Sequence, residues 1–137
     1  MKVTLFWLLA LLPKLAGAWC FDHAAQRYGM DSALLRAIAQ VESGGNPVAL
    51  GKNADGTEDI GLMQINSRWL PKLASYGIAR QDLLDPCTNV QVGAWVLSQN
   101  LRRYGYTWRA VGAYNAGKEG KREVYVRRVM RAYGYRG

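Results

Sequence analysis

Glu42 closes a helical pattern and opens a glycine-rich turn, and of all the side chains in this sequence it is the one best placed to move a proton. The stretch from Asp31 to Glu42 begins on capping residues and sets Leu35, Ile38 and Glu42 at i, i+3 and i+7. The carboxyl therefore faces the core side of its helix. There it loses water, and the carbonyl end of its own helix disfavours an anion, so both effects favour the protonated acid. A carboxyl that holds a proton near neutrality can serve as a general acid. The same spacing also fits a helix-end glutamate whose stem packs while its head reaches solvent.

Three polar clusters, far apart in the chain, sit in glycine-containing stretches of the kind that line a cleft. They are Glu42-Ser43-Gly44-Gly45-Asn46-Pro47, Gly61-Leu62-Met63-Gln64-Ile65-Asn66 and Ala113-Tyr114-Asn115-Ala116-Gly117. Each has an ordinary structural reading. Gln64 and Asn66 fit loop amides that satisfy nearby backbone, Met63 fits a core filler, and Tyr114 fits a packed aromatic whose hydroxyl meets a carbonyl.

The elements that must hold these clusters are mostly helical. Asp85-Pro86 reads as an N-cap followed by Pro at N1, opening a long helix to Tyr104 with Val90, Ala94, Leu97, Leu101 and Tyr104 as one buried stripe. A shorter helix follows Thr107 through Trp108, Val111 and Tyr114. A last helix from about Glu123 to Tyr133 turns Val126, Val129, Met130 and Tyr133 inward. Arg127, Arg128 and Arg131 then spread over its outer side as a solvated face, with docking to an acidic partner or the cell wall as a second reading. Between Pro47 and Ile60 the helical period disappears, and Asn53-Ala54-Asp55-Gly56 supplies the turn of a small irregular hairpin. Four Tyr-Gly pairs, ending at Gly29, Gly77, Gly105 and Gly134, close helical patterns where a left-handed residue belongs. Their unequal spacing excludes an internal repeat.

The N-terminus reads as an export signal: Lys2, an apolar run from Val3 to Leu12, and Ala16-Gly17-Ala18 as a small-residue cleavage site. The run is too short for a permanent membrane span, although an uncleaved anchor is the alternative. Cleavage after Ala18 leaves residues 19–137, enough for one domain and not for two, and a monomer is expected. Of 137 residues, 18 are Lys or Arg and 10 are Asp or Glu, so the chain is drawn to polyanions such as nucleic acid, anionic lipid or cell-wall polymer. No groove-reading motif accompanies that charge, and nucleic acid is set aside. The two cysteines of an exported chain most simply pair with each other, and a Cys20–Cys87 bridge would tie the N-terminus to the start of the long helix. With two thiols and one histidine, His23, which is expected on a helix surface, no metal site is indicated, and no organic cofactor either.

Taken in this order, the motifs ESGGNP, GLMQIN and AYNAG resemble those of the soluble lytic transglycosylase family, whose catalytic domain is similar to goose-type lysozyme. The likeness covers roughly residues 20 to 117. It implies a mainly α, lysozyme-like α+β fold, a helical bundle around a sugar-binding cleft, and a small single-domain subgroup associated with type III and type IV secretion, conjugation and pilus systems. It implies peptidoglycan glycan strands as substrate, cut between N-acetylmuramic acid and N-acetylglucosamine with a 1,6-anhydro product, in the periplasm or outside the cell. By the same resemblance Glu42 is the catalytic acid and base, Ser43, Met63, Gln64, Asn66, Tyr114 and Asn115 lie at the glycan cleft, and Ser43 chiefly orients the turn. Two other functions compete. A lysozyme-type hydrolase would need a second acid, for which Glu58 and Asp59 are candidates; a non-catalytic peptidoglycan-binding scaffold would need none.

Overall fold

A computed structural model describes residues 12–115 and 121–135 of the chain, with side chains from Cys20 onward. Residues 1–11 of the candidate export segment, and Ala116 and Gly117 of the third motif, lie outside the described residues. The elements run α1 (Leu12–Tyr28), α2 (Ser32–Ser43), β1 (Leu50–Lys52), β2 (Glu58–Ile60), β3 (Ile65–Asn66), a 3-10 turn (Ser67–Trp69), α3 (Leu70–Ala74), a second 3-10 turn (Arg80–Leu84), α4 (Pro86–Tyr104), α5 (Trp108–Tyr114) and α6 (Arg122–Tyr133). Among the described residues no helix is long and apolar enough to cross a membrane.

Helix α2 forms where its caps place it. The Asp31 carboxylate accepts from the Ala33 N–H at 2.9 Å, and Gly44, left-handed at φ 64° and ψ 21°, donates its N–H to the Gln40 carbonyl. Leu35 and Ile38 are fully buried on its inner face. Helix α4 starts as expected, with Asp85 accepting from the Thr88 N–H at 2.9 Å and Pro86 in the first turn. Its burial exceeds a single stripe: Asn89, Val90, Val92, Gly93, Ala94, Val96, Leu97, Ser98 and Leu101 are all buried. The reason is position. Helix α4 is central, packed by α1 and α5 and by the sheet, so more than one face meets protein.

The expected hairpin has a third strand. β1 pairs antiparallel with β2, placing Leu50 opposite Ile60 and Lys52 opposite Glu58, and β3 continues the sheet with Asp59 opposite Asn66 and Ile60 opposite Ile65. The tight turn at Gly61–Gln64 brings β3 back beside β2. Of the Tyr-Gly pairs, Gly134 takes the left-handed conformation, whereas Gly105 combines φ 75° with ψ 179° and so ends α4 outside the left-handed well. Cys20 and Cys87 form the expected disulfide, joining α1 to the first turn of α4 across 67 residues. In the chain-entropy picture a closed loop of that length contributes about 4 kcal/mol. His23 is exposed on α1, its Nδ1 3.0 Å from the Gln91 amide nitrogen.

Asn89 connects the sheet to the central helix. Its side chain is fully buried. The amide oxygen accepts from the Met63 N–H at 2.7 Å, and the amide nitrogen donates to the Ile60 and Leu83 carbonyls at 2.8 and 2.9 Å. The approach is so close that only glycine fits at position 61, where φ is 77° and a Cβ would stand 2.3 Å from the Asn89 amide nitrogen. Replacing Asn89 by alanine orphans three buried backbone groups, each worth about 1–3 kcal/mol. Asn89→Ala is expected to destabilise the fold by about 3 kcal/mol or more, seen as a lower urea midpoint at unchanged slope.

Candidate active site

The end of α2, the sheet, α4, α5 and α6 enclose a cleft of about 860 Å³. Val41 and Glu42 contribute from α2, Val96 and Asn100 from α4, Ala113, Tyr114 and Asn115 from the end of α5, and Tyr125 and Arg128 from α6. Across from them stand Asn53, Thr57, Asp59, Gln64, Ile65 and Asn66, followed by Arg68 and Trp69. This volume lies within the roughly 300–1,000 Å³ of ligand clefts. Glu42 is half-buried here, as its helix position requires. The side chain comes off the last turn of α2, which Ser43 tightens by donating to the Ala39 carbonyl at 3.0 Å while accepting from the Gly45 N–H at 3.2 Å.

Two tyrosine hydroxyls lie within the field of that carboxyl. Tyr114 borders the cleft with its ring and buries its hydroxyl, which donates to the Met63 carbonyl at 2.7 Å. Burial raises its pKa well above the ordinary tyrosine value, and the negative charges of Glu42 and Asp59 raise it further. Tyr125 is buried on α6, and its pKa is raised by burial, by the Glu42 charge and by Tyr114, with a hydrogen-bonding contribution from Glu42 and an opposing one from the Arg128 cation. The contact between the Tyr125 hydroxyl and Glu42 falls short of full hydrogen-bond geometry. Since a phenol has a single hydrogen, Tyr114 has given its own to Met63 and faces Glu42 as dipole and acceptor rather than as donor.

The sheet side is a polar lattice. The Asn53 and Asn66 amides donate to the two Asp59 oxygens at 3.1 and 3.0 Å, and both also donate to the Thr57 hydroxyl. Thr57 in turn donates to Asp55 at 2.6 Å, and Asp55 is ion-paired with Arg68. The Asn66 oxygen accepts from the Arg68 N–H at 2.9 Å. Gln64 holds the left-handed φ of 53°, the only described residue other than glycine with positive φ. Its amide nitrogen donates to the Ala49 and Gly61 carbonyls at 3.1 and 3.0 Å. An uncommon backbone conformation fixed by its own side chain, at a cleft wall, is where function tolerates strain.

The structure gathers Glu42, Gln64, Asn66, Tyr114 and Asn115 around one cleft, and separates two expected residues from it. Met63 is wholly buried and cannot touch a glycan; its sulfur packs where a Cβ on Gly93 would come within 2.5 Å, and its part in the site is the carbonyl that anchors Tyr114. Ser43 caps the turn and is not among the residues that line the cleft. The amide hydrogens of Gln64 and Asn66 are committed to protein acceptors, leaving carbonyl lone pairs for a ligand. Glu58 is excluded as a second acid, because both oxygens meet Arg80 outside the cleft, and that guanidinium holds its pKa below the usual range. Asp59 does face the cleft.

Sequence reasoning missed Tyr125 and the cleft position of Arg128. Tyr125 stands four residues before Val129 and eight before Tyr133, just ahead of the stripe that begins at Val126; a fourfold step finds it. Arg128 follows Tyr125 by three positions and is solvent-exposed as expected, but it also borders the cleft at its rim.

The transglycosylase SLT domain model matches residues 19–132. The chain is 48% identical over 121 residues to invasion protein IagB of Salmonella typhimurium strain SL1344, covering 88% of this chain and 74% of that protein. It is 41% identical over 133 residues to protein IpgF of Shigella flexneri, covering 93% and 88%. Among solved structures, an inactive Glu-to-Gln mutant of the lytic transglycosylase Slt from Pseudomonas aeruginosa superposes with a TM-score of 0.68 at 25% identity over 82% of this chain. The chain spans only 22% of that larger protein, and the shared part has its lysozyme-like helical fold.

Raised tyrosine pKa values set a pH dependence. Above about pH 10 the unfolded chain ionises its tyrosines while Tyr114 and Tyr125 stay protonated in the fold, so the unfolded state binds fewer protons and stability falls as pH rises. The contribution is fully present below that pH. Tyr125→Phe is expected to flatten the loss between about pH 10 and 11, measured by urea unfolding at stepped pH.

Proposed function

The chain belongs to the transglycosylase SLT domain family and is an enzyme of the lytic transglycosylase kind, and on that premise we propose that Glu42 cleaves the β-1,4 bond between N-acetylmuramic acid and N-acetylglucosamine in peptidoglycan without water. The observation that carries this reading is the half-buried Glu42 carboxyl in a glycan-sized cleft, acting on two buried tyrosine hydroxyls. The Glu-to-Gln change in the inactive Slt structure supports a glutamate as the essential group.

In the proposed reaction protonated Glu42 gives its proton to the bridging oxygen as the bond from the muramoyl anomeric carbon to that oxygen breaks, releasing the 4-hydroxyl of N-acetylglucosamine. The substrate's acetamido oxygen stabilises the oxocarbenium-like carbon. The muramoyl C6 hydroxyl then attacks that carbon, Glu42 takes its proton, and a 1,6-anhydro ring closes. The acid is regenerated in the same turnover, so one carboxyl suffices. The Glu42 charge acts on the Tyr114 and Tyr125 hydroxyls beside it, and Arg128 offers a cation at the rim for anionic groups on the glycan or its peptides.

Residues 1–18 are proposed as an export segment and residues 19–137 as the catalytic domain, working in the periplasm as a monomer. Similarity to an invasion protein, IagB, supports local wall opening for a secretion, conjugation or pilus apparatus as its purpose.

A second reading rests on Asp59, which faces the cleft with both oxygens held by amides and would activate water in a lysozyme-type hydrolase. Digestion of sacculi in ¹⁸O-labelled water separates the two. The transglycosylase leaves anhydro ends without label, and Asp59→Asn retains that product; labelled reducing ends lost in Asp59→Asn would establish the hydrolase. Glu42→Gln is expected to lower turnover by roughly 100- to 10,000-fold with an unchanged fold by circular dichroism. Full function in that variant would instead mark a non-catalytic binding scaffold.

A further inference from the structure

Behind the cleft, on the opposite side of α4, lies a second and smaller pocket of about 220 Å³ lined by Arg27, Tyr28, Ser98, Leu101, Arg102 and Tyr106. At about 100° per residue, Ser98 and Arg102 project roughly 160–200° away from Asn100, and Ser98 about as far from Val96. We infer that this pocket is a docking site for an acidic segment of another protein, which seats one apolar side chain over Leu101 and sets carboxylates on Arg27 and Arg102.

Charge selects the sign of the partner. Arg27 and Arg102 are exposed, and Arg103 at the end of α4 and Arg109 on α5 both pack on the Tyr104 ring at 5.3 and 4.7 Å. None of the four has a carboxylate at ion-pair distance among the described residues, whereas Arg36, Arg68, Arg80 and Arg127 each have one. No acidic side chain lines the pocket. Arg27 and Arg102 thus set uncompensated positive charge at the pocket itself, and guanidinium groups grip carboxylates in two-point fashion.

Shape selects the kind of partner. Tyr106 is 75% exposed, yet it is held in place by its hydroxyl, which donates to the Gly29 carbonyl at 2.6 Å. A large aromatic ring fixed on the surface beside arginines is an interface feature rather than a folding requirement. The pocket is below the roughly 300 Å³ at which small-molecule sites begin, and its floor is the apolar Leu101 with tyrosine rings around it. A flat polyanion or bilayer makes no use of such a floor, whereas a peptide side chain fills it. Because the glycan cleft opens on the other side of α4, partner and substrate can be held together.

Short synthetic peptides with a central leucine or serine, flanked by aspartates or by asparagines, test the site by fluorescence anisotropy. The parent is expected to bind the leucine peptide with aspartates best. Arg102→Glu should weaken that binding about tenfold or more, and Arg127→Glu, a charge change of equal size on α6, should leave it unchanged. Glycan cleavage by Arg102→Glu should equal the parent's, and Arg102→Gln provides the milder variant if the charge reversal disturbs folding. Equal binding of the serine peptide, indifference to Arg102→Glu, or no binding of any peptide would overturn the inference. So would loss of retention on phosphatidylglycerol vesicles as the only effect of the Arg102 variants.

Discussion

The side chain of Asn89 is sealed from water on the central helix, and the cleft has its shape because three backbone groups converge on that amide. Desolvating an amide costs several kcal/mol unless it is fully bonded, so the Gly61–Met63 turn and the Leu83 carbonyl are held to one position on α4. Everything on the sheet side of the cleft follows from that fixed turn. It sets the Met63 carbonyl that receives Tyr114, the left-handed Gln64, and the start of β3, where Asn66 joins Asp59. The bond from Tyr114 to Met63 then ties α5 to the sheet across 51 residues, bringing the two walls of the cleft to a set separation.

Within that frame the acids have different environments and therefore different work. Asp55 and Glu58 meet arginines, Asp31 caps α2 and receives the Tyr133 hydroxyl, and Asp59 receives two amides. The partners of Asp31, Asp55 and Glu58 hold their pKa values below the usual carboxylate range. Glu42 stands instead at the carbonyl end of a helix, half-buried, against phenols that burial keeps neutral. A carboxyl that must alternate between acid and base needs donors and acceptors close by. Arg128 touches the electrostatics of Tyr125 from the rim, which connects α6 to the same centre.

Helix α4 also divides the molecule functionally. One side carries Val96 and Asn100 into the cleft, and the other carries Ser98 and Arg102 into the basic pocket. Such a division lets a small enzyme be held by a partner without obstructing its substrate. The disulfide at the first turn of α4 and the central packing of that helix make it a stiff partition between the two surfaces.

Local rules carried the sequence reading a long way. Caps at Asp31, Asp85 and Thr107, the apolar stripe of α4, the Cys20–Cys87 pairing and the position of Glu42 at the end of α2 depend on residue type, on neighbours within four positions, or on there being just two cysteines. The sequence alone therefore determined where α2, α4 and α5 begin and which acid stands at the cleft end of α2. Tertiary structure decided the rest: that Asn89 is a staple, that Met63 acts through its carbonyl, that Asn66 holds Asp59, that Tyr125 and Arg128 reach the cleft, and that Glu58 does not. Several of these outcomes are contacts between residues 22 to 51 positions apart. Whether a polar side chain meets backbone, ligand or solvent is set by the packing angle between elements, which no local pattern encodes.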